Sequence, residues 1–244
     1  MDVPRSATRS ALSTLVAVIV APSDAFAAIR ERPVWVWALL ATMVFGAIGA
    51  ILGTPVSRHI IEVSLPGQLA NDPRFAGLSA EAAHERIQQM VALTLTWVNF
   101  SWLFVLALAP LATLFEGGIA YGVRALARGR GTFKQIFTLA AHVQFIGLGL
   151  SALGSGAIVS LRPLDSFRTQ IDYFTAVPSL AWIVPGAPLK VTAFLAALQP
   201  FSIWSTVILA CGLVEIAALK RPVAWTTSIA ILLASAAWAA AFIR

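Results

Sequence analysis

The chain has 244 residues, of which 59% are hydrophobic and 11% are charged; its mean hydropathy is +0.83 and its formal net charge is +6. Soluble domains carry about 25% charged residues, so this composition excludes an ordinary soluble enzyme. Apolar runs such as 33–53 and 222–243 are continuous rather than alternating. Lipid cannot satisfy bare peptide groups, which leaves helices or a closed barrel. The continuous runs favour helices, because a barrel needs segments that alternate polar and apolar residues. We therefore predict an all-α fold, a polytopic membrane helix bundle of about five transmembrane helices with an interfacial N-terminal helix.

Residues 1–32 are mildly apolar, and we predict that they form a cytoplasmic, interfacial N-terminal segment. The apolar stretch 11–21 is too short to cross about 30 Å of hydrocarbon at about 1.5 Å per residue. A cleaved signal peptide is the alternative, since Arg5 and Arg9 precede the stretch and residues 25–27 have the A-x-A shape of a cleavage site. Cleavage would leave two arginines outside, directly before the first span, against the positive-inside tendency.

Residues 33–244 are predicted to form one membrane domain with five spans. The stretch 91–122 exceeds the roughly 20 residues that a span needs, so it must tilt, protrude or kink at Pro110. A short apolar piece ends at Gln199-Pro200, where we expect a break, because the residue before a proline disfavours helix. The predicted spans are 33–53, 91–122, 133–160, 201–219 and 223–243.

Two polar segments, 54–90 and 161–188, are predicted to lie outside the membrane as loops. In the first, the sequence Asn71-Asp72-Pro73 is typical of a turn. Residues 79–90 then predict a short amphipathic helix, with Ser79 as its N-cap.

The distribution of basic residues predicts how the chain is oriented. With the N-terminus inside, the inner segments carry ten Lys and Arg, whereas the outer segments carry seven over many more residues, together with six acids. Basic residues accumulate on the inside, so we predict an N-terminus inside and a C-terminus outside. The ten inner cations are Arg5, Arg9, Arg30, Arg32, Arg124, Arg128, Arg130, Lys134, Lys220 and Arg221.

Motifs for catalysis, metal binding and nucleic-acid binding are absent from the sequence. It contains no P-loop, GxSxG, HExxH or CxxC pattern. Cys211 is the only cysteine, which leaves no disulfide framework and no metal-ligand spacing. The basic residues occur in short loops without the motif or aromatic support of a nucleic-acid interface. We therefore expect no catalytic residues, no metal, no cofactor and no nucleic-acid partner.

Three ionisable residues interrupt the predicted spans: Glu116, His142 and Glu215. Glu116 and His142 each lie eight residues from the basic loop between spans two and three, about 12 Å deep, so a hydrogen bond between them is geometrically feasible. Glu215 is about 7 Å deep on the same side. Intramembrane ionisable residues usually face the bundle interior and mark functional sites. The three form a candidate polar cluster for a proton or cation; the alternative is that each is satisfied structurally.

Small residues recur at helical spacing in three spans. Such patterns let helix backbones approach closely. They serve either self-association of two copies or packing within one chain, and the sequence does not separate the two. The candidate helix-packing residues are Gly49, Gly53, Gly118, Gly122, Gly147 and Ser151.

The stretches 21–40, 129–148 and 198–225 resemble, in this order, the bacterial members of the Yip family of membrane proteins (Ypt-interacting-protein-like). Residues 21–40 are similar to the family's entry pattern, in which Pro-Ser, an acid, Phe, Ile, a charged pair and Pro precede span one. Residues 129–148 resemble its Gly-rich basic turn before a Phe-Lys-Gln helix start. Residues 198–225 resemble the Phe-x-Trp opening of the fourth span and the basic turn that follows.

The resemblance covers about a third of the chain in the family's order and implies a five-span arrangement in a bacterial inner (cytoplasmic) membrane. It implies a membrane-organising or trafficking-like role in eukaryotes and an undefined function in bacterial members. The Asp-Leu-Tyr-Gly-Pro motif of the eukaryotic branch is absent, so Rab GTPase binding is not carried over.

We predict a non-enzymatic membrane scaffold or adaptor that contacts the lipid bilayer and a membrane-protein partner or a second copy. The alternative is a small transporter or channel lined by the Glu/His cluster and the broken segment at Gln199-Pro200. A membrane-embedded enzyme acting on lipid is a third option, for which the sequence offers too few polar residues.

Overall fold

The computed structural model describes residues 11–75 and 77–243, and all of their regular structure is helical. The helices are joined by short turns, by three 3₁₀ turns and by one π-helical stretch, Phe145–Leu150. The α-helices of the described chain are α1 (Ala11–Val20), α2 (Pro22–Glu31), α3 (Val36–Ala70), α4 (Ala80–Asn99), α5 (Ser101–Leu126), α6 (Phe133–Gln144), α7 (Ser151–Ser160), α8 (Gln170–Ala176), α9 (Leu189–Ala197), α10 (Pro200–Glu215) and α11 (Arg221–Ala241).

Four helices of the described residues are long and apolar enough to span a membrane, and there are five if the bent pair α9 and α10 forms one span. The predicted polytopic helix bundle is therefore confirmed. Span three, Phe133–Ser160, has the predicted bounds, and span five is Arg221–Ala241. The predicted break before the fourth span is also present, since α9 ends at Ala197 and α10 begins at Pro200.

The N-terminal segment forms a hairpin of two short helices. Its first helix, α1, has ten residues, about 15 Å at the helical rise, which is half the thickness of the hydrocarbon. Helix α1 packs on α2, and Val18 of α1 is fully buried whereas Val16 is exposed. Pro22 occupies the first turn of α2, where its missing N–H is not needed. Arg5 and Arg9, on which the signal-peptide alternative depends, lie outside the described residues.

Helix α3 is longer than the sequence predicts. It runs for 35 residues, whereas a polar loop was expected from residue 54. Val56 and Ile60, one helical turn apart, are buried together with Val159 and Phe167. This burial keeps the backbone helical beyond the predicted boundary, so the segment expected as a loop is mostly the end of α3 and the start of α4.

The start of span two also differs from the prediction. A single stretch was expected over 91–122, but α4 and α5 separate at Phe100, whose φ of −102° and ψ of 12° are not helical, so the candidate span is α5 alone. Asn99, the last residue of α4, accepts a hydrogen bond on its Oδ1 from Arg58 Nη1 at 3.1 Å. Pro110 lies within α5 and does not end it.

The turn between α3 and α4 forms as predicted. Ser79 is the N-cap of α4 and its hydroxyl accepts from the Ala82 N–H at 3.3 Å. In the turn, the Arg74 guanidinium donates to Asp72 Oδ2 at 2.6 Å. This side-chain hydrogen bond, together with one from the Arg74 N–H, lowers the pKa of Asp72 to about 2. The basic residue of this turn is therefore neutralised locally.

The chain divides into two compact units. In unit 1, α10 packs against α6 and the π-helical stretch, and α2 packs against α6. In unit 2, α8 packs against α9, and the Trp182 indole N–H donates to the Thr175 carbonyl at 2.8 Å. Unit 1 comprises Met1–Val44, Ala107–Ser151 and Pro200–Ser235; unit 2 comprises Phe45–Leu106, Ala152–Gln199 and Ala236–Arg244.

Close helix approach builds the core of unit 1. Leu139 and Leu213 are fully buried. A Cβ placed on Gly212 would lie 2.5 Å from a methyl carbon of Leu139. In the π-helical stretch, a Cβ on Gly147 would lie 2.8 Å from Ser205 Oγ, and one on Gly149 would lie 3.0 Å from Thr42 Cα. Glycines on α10 and in the π-helical stretch therefore let neighbouring helices meet at close range.

A capping box begins α8 in the second polar segment. The Thr169 hydroxyl accepts from the Asp172 N–H at 3.3 Å, and Asp172 Oδ2 accepts from the Thr169 N–H at 2.7 Å. Burial alone would raise the pKa of Asp172. The backbone N–H groups of Arg168 and Thr169 and the Thr169 hydroxyl donate hydrogen bonds that lower the pKa by more, so the net shift is downward. The ionised carboxylate is thus the form that stabilises this helix start.

Acid should therefore release the start of α8. A carboxylate with a lowered pKa stabilises the fold above the ordinary Asp pKa of about 3.9, and this contribution is lost as pH falls through the folded value. We expect amide hydrogen exchange over 170–176, corrected for its intrinsic pH dependence, to accelerate below about pH 4. Asp172→Asn should abolish the dependence, whereas the matched control Asp165→Asn should keep it. Protection that is unchanged between about pH 5 and 3 would contradict the role of the cap.

Candidate functional site

Glu116 lies on α5 in unit 1 and is almost completely buried, with 4% of its surface exposed. Its Oε2 accepts a hydrogen bond from the Gln144 side-chain amide. Its Oε1 is buried and has no hydrogen-bond partner among the described residues. The carboxyl group is therefore enclosed and held by a single amide of α6.

His142, on α6, is 1% exposed, and its Nδ1 is 2.8 Å from the Thr138 carbonyl of the same helix. The expected hydrogen bond between His142 and Glu116 is not formed. The Gln144 side-chain amide donates to the Glu116 carboxyl instead. Consecutive helical residues are about 100° apart, so His142 and Gln144 face nearly opposite directions. The depth of the two predicted partners was the only basis for pairing them, and depth carries no information on rotation about the helix.

Glu215 ends α10 and is exposed, unlike the other two members of the predicted cluster. Its carboxylate lies 3.9 Å from Arg30 Nη1, and its backbone carbonyl is 3.5 Å from the same nitrogen. Exposed ion pairs contribute little, about 0–1 kcal/mol. Among the described residues, no hydrogen bond or ion pair therefore connects any two of Glu116, His142 and Glu215.

Three regions of unit 1 that are distant in sequence meet at one end of its helices. Arg30, at the end of α2, contacts Glu215 of α10 and accepts from the Gln135 side-chain amide at 2.8 Å. The backbone N–H of Arg130 donates to the Ala217 carbonyl at 2.7 Å. These residues belong to the stretches 21–40, 129–148 and 198–225 that carry the family resemblance. Sequence reasoning missed the contacts, because order along the chain was their only signal.

Gln135 has two roles at this junction. Its Oε1 accepts from the Thr132 N–H at 2.8 Å and completes a capping box at the start of α6. Its Nε2 donates to the Arg30 carbonyl, one of the free carbonyls at the end of α2. One side chain thus caps one helix end and ties down another.

Two glycines let the basic turn after α5 reach the end of α10. A Cβ on Gly129 would lie 2.5 Å from the Ala217 carbonyl oxygen, and one on Gly131 would lie 3.0 Å from the Ile216 carbonyl oxygen. Gly131 also has a φ of +86°, which L side chains rarely adopt. Arg128 has a φ of +54° although it is not glycine.

The predicted packing glycines differ in use. A Cβ on Gly49 would overlap the backbone of Ala152 on α7, and one on Gly156 would overlap the Gly49 carbonyl, all within unit 2. By contrast, a Cβ on Gly118 or Gly122 of α5 would meet nothing within 4 Å.

The remaining three predicted packing residues are Gly53, Gly147 and Ser151. A Cβ on Gly53 would lie 3.4 Å from the Tyr173 hydroxyl, in ordinary contact. Gly147 approaches Ser205 closely, and Ser151 is buried. Gly49 and Gly147 are therefore used inside the chain.

Replacing Gln135 with glutamate should separate its two roles. Glutamate keeps an acceptor for the Thr132 N–H but has no N–H for the Arg30 carbonyl, so we expect a loss of about 1 kcal/mol. Gln135→Leu loses both bonds and should lose about 2 kcal/mol in all. Tryptophan-detected thermal unfolding in detergent measures the difference. Equal melting temperatures for Gln135→Glu and the parent would show that the bond to Arg30 contributes nothing.

Comparison with known proteins gives two matches. The family model of the Yip1 domain matches residues 16–241. Membrane protein YknW of Bacillus subtilis (strain 168) is 29% identical over 229 residues, which cover 92% of this chain and 87% of that protein. No solved structure matches the chain.

Proposed function

The chain belongs to the Yip1 domain family, and from this premise we propose that it is an integral membrane scaffold or adaptor without enzymatic activity. It would work through its helix surfaces and its contacts with the leaflets. We further propose that it lies in a bacterial inner membrane with its N-terminus inside and its C-terminus outside, so that the basic turns of unit 1 face the cytoplasm.

The single observation that carries the proposal is the enclosure of the intramembrane polar groups. A transport pathway needs water or solute beside the residues that bind the substrate. Glu116 and His142 are 4% and 1% exposed, and the described hydrogen bonds of both are made within the chain. Such packing supports a structural role for them and favours a scaffold over a channel.

The junction of α2, α6 and α10 also supports the proposal. Gln135 and Arg30 fix the end of α2 to the start of α6, and Arg130 fixes the basic turn between α5 and α6 to Ala217. A surface held by contacts between three regions can present the same shape to a partner each time, which lowers the entropy lost on binding.

Site-specific photo-crosslinking in native membranes tests the proposal. A photo-reactive residue would replace Leu126 or Leu12 in unit 1, which are 88% and 61% exposed, or Ile183 in unit 2, which is 71% exposed. Fully buried Leu139 is the matched control. We expect the same membrane protein, or a second copy, to be captured repeatedly from one exposed position and not from Leu139. Capture of lipids and small solutes alone would refute the adaptor role.

One observation favours the alternative of a small transporter: the unpartnered Oε1 of Glu116. We expect Glu116→Gln to melt at or above the parent's temperature, because an amide also accepts from Gln144 while an ionised carboxyl is costly in a span. Glu116→Leu should lose about 1–3 kcal/mol, since it leaves the Gln144 amide unpaired.

A flux assay separates the two functions. Parent and Glu116→Gln proteoliposomes with a trapped pH dye should acidify at the rate of empty liposomes. Proton flux in the parent that Glu116→Gln abolishes would replace the scaffold proposal with the transporter.

A further inference from the structure

The positive charge of the chain is concentrated in one unit. The sequence ranges of unit 1 hold ten basic and five acidic residues, whereas those of unit 2 hold seven basic and six acidic residues. In unit 2, Arg58 Nη2 lies 3.5 Å from Glu62 Oε1, and Arg74 Nη2 lies 2.6 Å from Asp72 Oδ2, so both arginines form ion pairs. Unit 1 therefore carries a clear excess of positive charge, whereas the charges of unit 2 nearly balance.

Backbone contacts bring two basic turns of unit 1 together. The Arg130 N–H bonds to the Ala217 carbonyl at 2.7 Å, and Gly129 lies against the same oxygen. Lys220 is three residues beyond Ala217, so its Cα lies within about 11 Å of that contact along an extended chain. Long basic side chains from both turns can therefore reach one ligand.

Five cations in these turns and in the first residues of the helices that follow them are exposed and have no ion-pair partner in the part of the chain that the structure describes. Glu215, the acid five residues before Lys220, is already engaged by Arg30. Cations commonly follow helix C-termini because the helix dipole favours them, but one or two would satisfy that need at α5 and α10. The five residues, which we call the basic shelf, are Arg128, Arg130, Lys134, Lys220 and Arg221.

Aromatic and apolar side chains adjoin the basic shelf. Phe133, between two shelf cations in sequence, packs edge-on against Tyr121 at 5.4 Å between ring centroids, and the Arg124 guanidinium lies over the Tyr121 ring. Leu126, two residues before Arg128, is 88% exposed. Aromatic rings next to basic residues at the ends of spans are typical of the lipid headgroup level. This setting favours a lipid phosphate over a soluble acidic partner.

We propose that the basic shelf binds the phosphate groups of anionic phospholipids and so selects an anionic leaflet. The chemistry required is several unpaired cations at headgroup depth with an apolar surface beside them. Each cation near such a surface strengthens binding about fivefold. The proposal does not depend on the scaffold role, since lipid selection is measured without a protein partner.

Lipid binding to the purified full-length protein tests the basic shelf. Detergent micelles would be doped with phosphatidylglycerol or phosphatidylcholine, and native mass spectrometry and melting temperature would report binding. We expect the parent to retain phosphatidylglycerol in preference to phosphatidylcholine. The combined variant Arg128→Gln, Lys220→Gln and Arg221→Gln should lose the preference on the order of 100-fold.

The matched control removes the same charge from unit 2 through Arg86→Gln, Arg162→Gln and Lys190→Gln, and it should keep the parent's preference. Equal melting temperatures in phosphatidylcholine alone show that the variants fold alike. Where the combined variant melts lower, Lys220→Gln alone should lose about fivefold. A parent without preference, a shelf variant that keeps it, or equal stabilisation by free inorganic phosphate would each overturn the proposal.

Discussion

Replacing Gly49 with alanine should destabilise the protein by about 1–3 kcal/mol, the usual cost of overpacking a filled interior. The new Cβ would overlap the backbone of Ala152, and backbone atoms cannot rotate away as a side chain does. Alanine otherwise improves a helix by about 1 kcal/mol over glycine. A loss of stability therefore has the opposite sign to helix propensity and identifies steric contact as its cause.

Thermal unfolding in detergent, followed by tryptophan fluorescence, measures the effect of Gly49→Ala. Gly156→Ala should lower the melting temperature as well, because its Cβ would overlap the Gly49 carbonyl. Gly118→Ala on α5 is the control, since nothing lies within 4 Å of its Cβ, and it should be neutral or slightly stabilising. A Gly49→Ala protein that melts with or above the Gly118→Ala control would rule out backbone contact between α3 and α7.

Replacing Gly129 with alanine should push the basic turn away from the end of α10. The new Cβ would lie 2.5 Å from the Ala217 carbonyl oxygen and 2.8 Å from a methyl carbon of Leu219. Displacing the turn breaks the bond from the Arg130 N–H and leaves a carbonyl without its partner, at about 1–3 kcal/mol. Because this bond joins the two turns of the basic shelf, preference for phosphatidylglycerol should fall together with stability.

Two controls separate these effects for Gly129→Ala. Gly122→Ala, seven residues earlier and free of contacts within 4 Å, should change neither stability nor lipid preference. Gly131→Ala and Gly186→Ala both force a side chain into positive φ, but only Gly131 also faces a carbonyl, that of Ile216. Gly131→Ala should therefore be the more destabilising of the pair. A Gly129→Ala protein with the parent's melting temperature and lipid preference would disprove the idea that the bond from the Arg130 N–H to the Ala217 carbonyl holds the two turns together.

The sequence predicted the spans well where hydrocarbon alone decides their length. Span three has the bounds read from hydropathy, and the break before Pro200 follows from local stereochemistry. The family resemblance, which rested on order along the chain, is confirmed by the family model over residues 16–241. These features depend on local composition and covalent geometry, which a single sequence contains.

Boundaries set by tertiary contacts were predicted wrongly. Helix α3 continues because Val56 and Ile60 are buried by residues about a hundred positions later, and mean hydropathy over 54–90 does not register two such residues. The break between α4 and α5 falls at Phe100, whose backbone is not helical, inside a stretch of continuous apolar composition that does not mark it. The first of these boundaries requires knowing which distant segment is the neighbour.

The candidate polar cluster shows the same limit within one site. Depth along a helix follows from counting residues, and equal depth was the basis for expecting a hydrogen bond between Glu116 and His142. Rotation decides which atoms, and it gives Glu116 the Gln144 amide rather than the His142 ring. Glu215 is exposed and paired with Arg30, the outcome that a residue near the end of its span permits.

Arg128 closes α5 in a left-handed conformation, with a φ of +54°. That conformation costs an L-amino acid roughly 1–2 kcal/mol and costs glycine almost nothing. Ala218, which follows α10, has a similar φ of +50°, so α5 and α10 are both followed by a left-handed residue that is not glycine. Both turns therefore carry a similar conformational cost, which the hydrogen bond from the Arg130 N–H to the Ala217 carbonyl helps to offset.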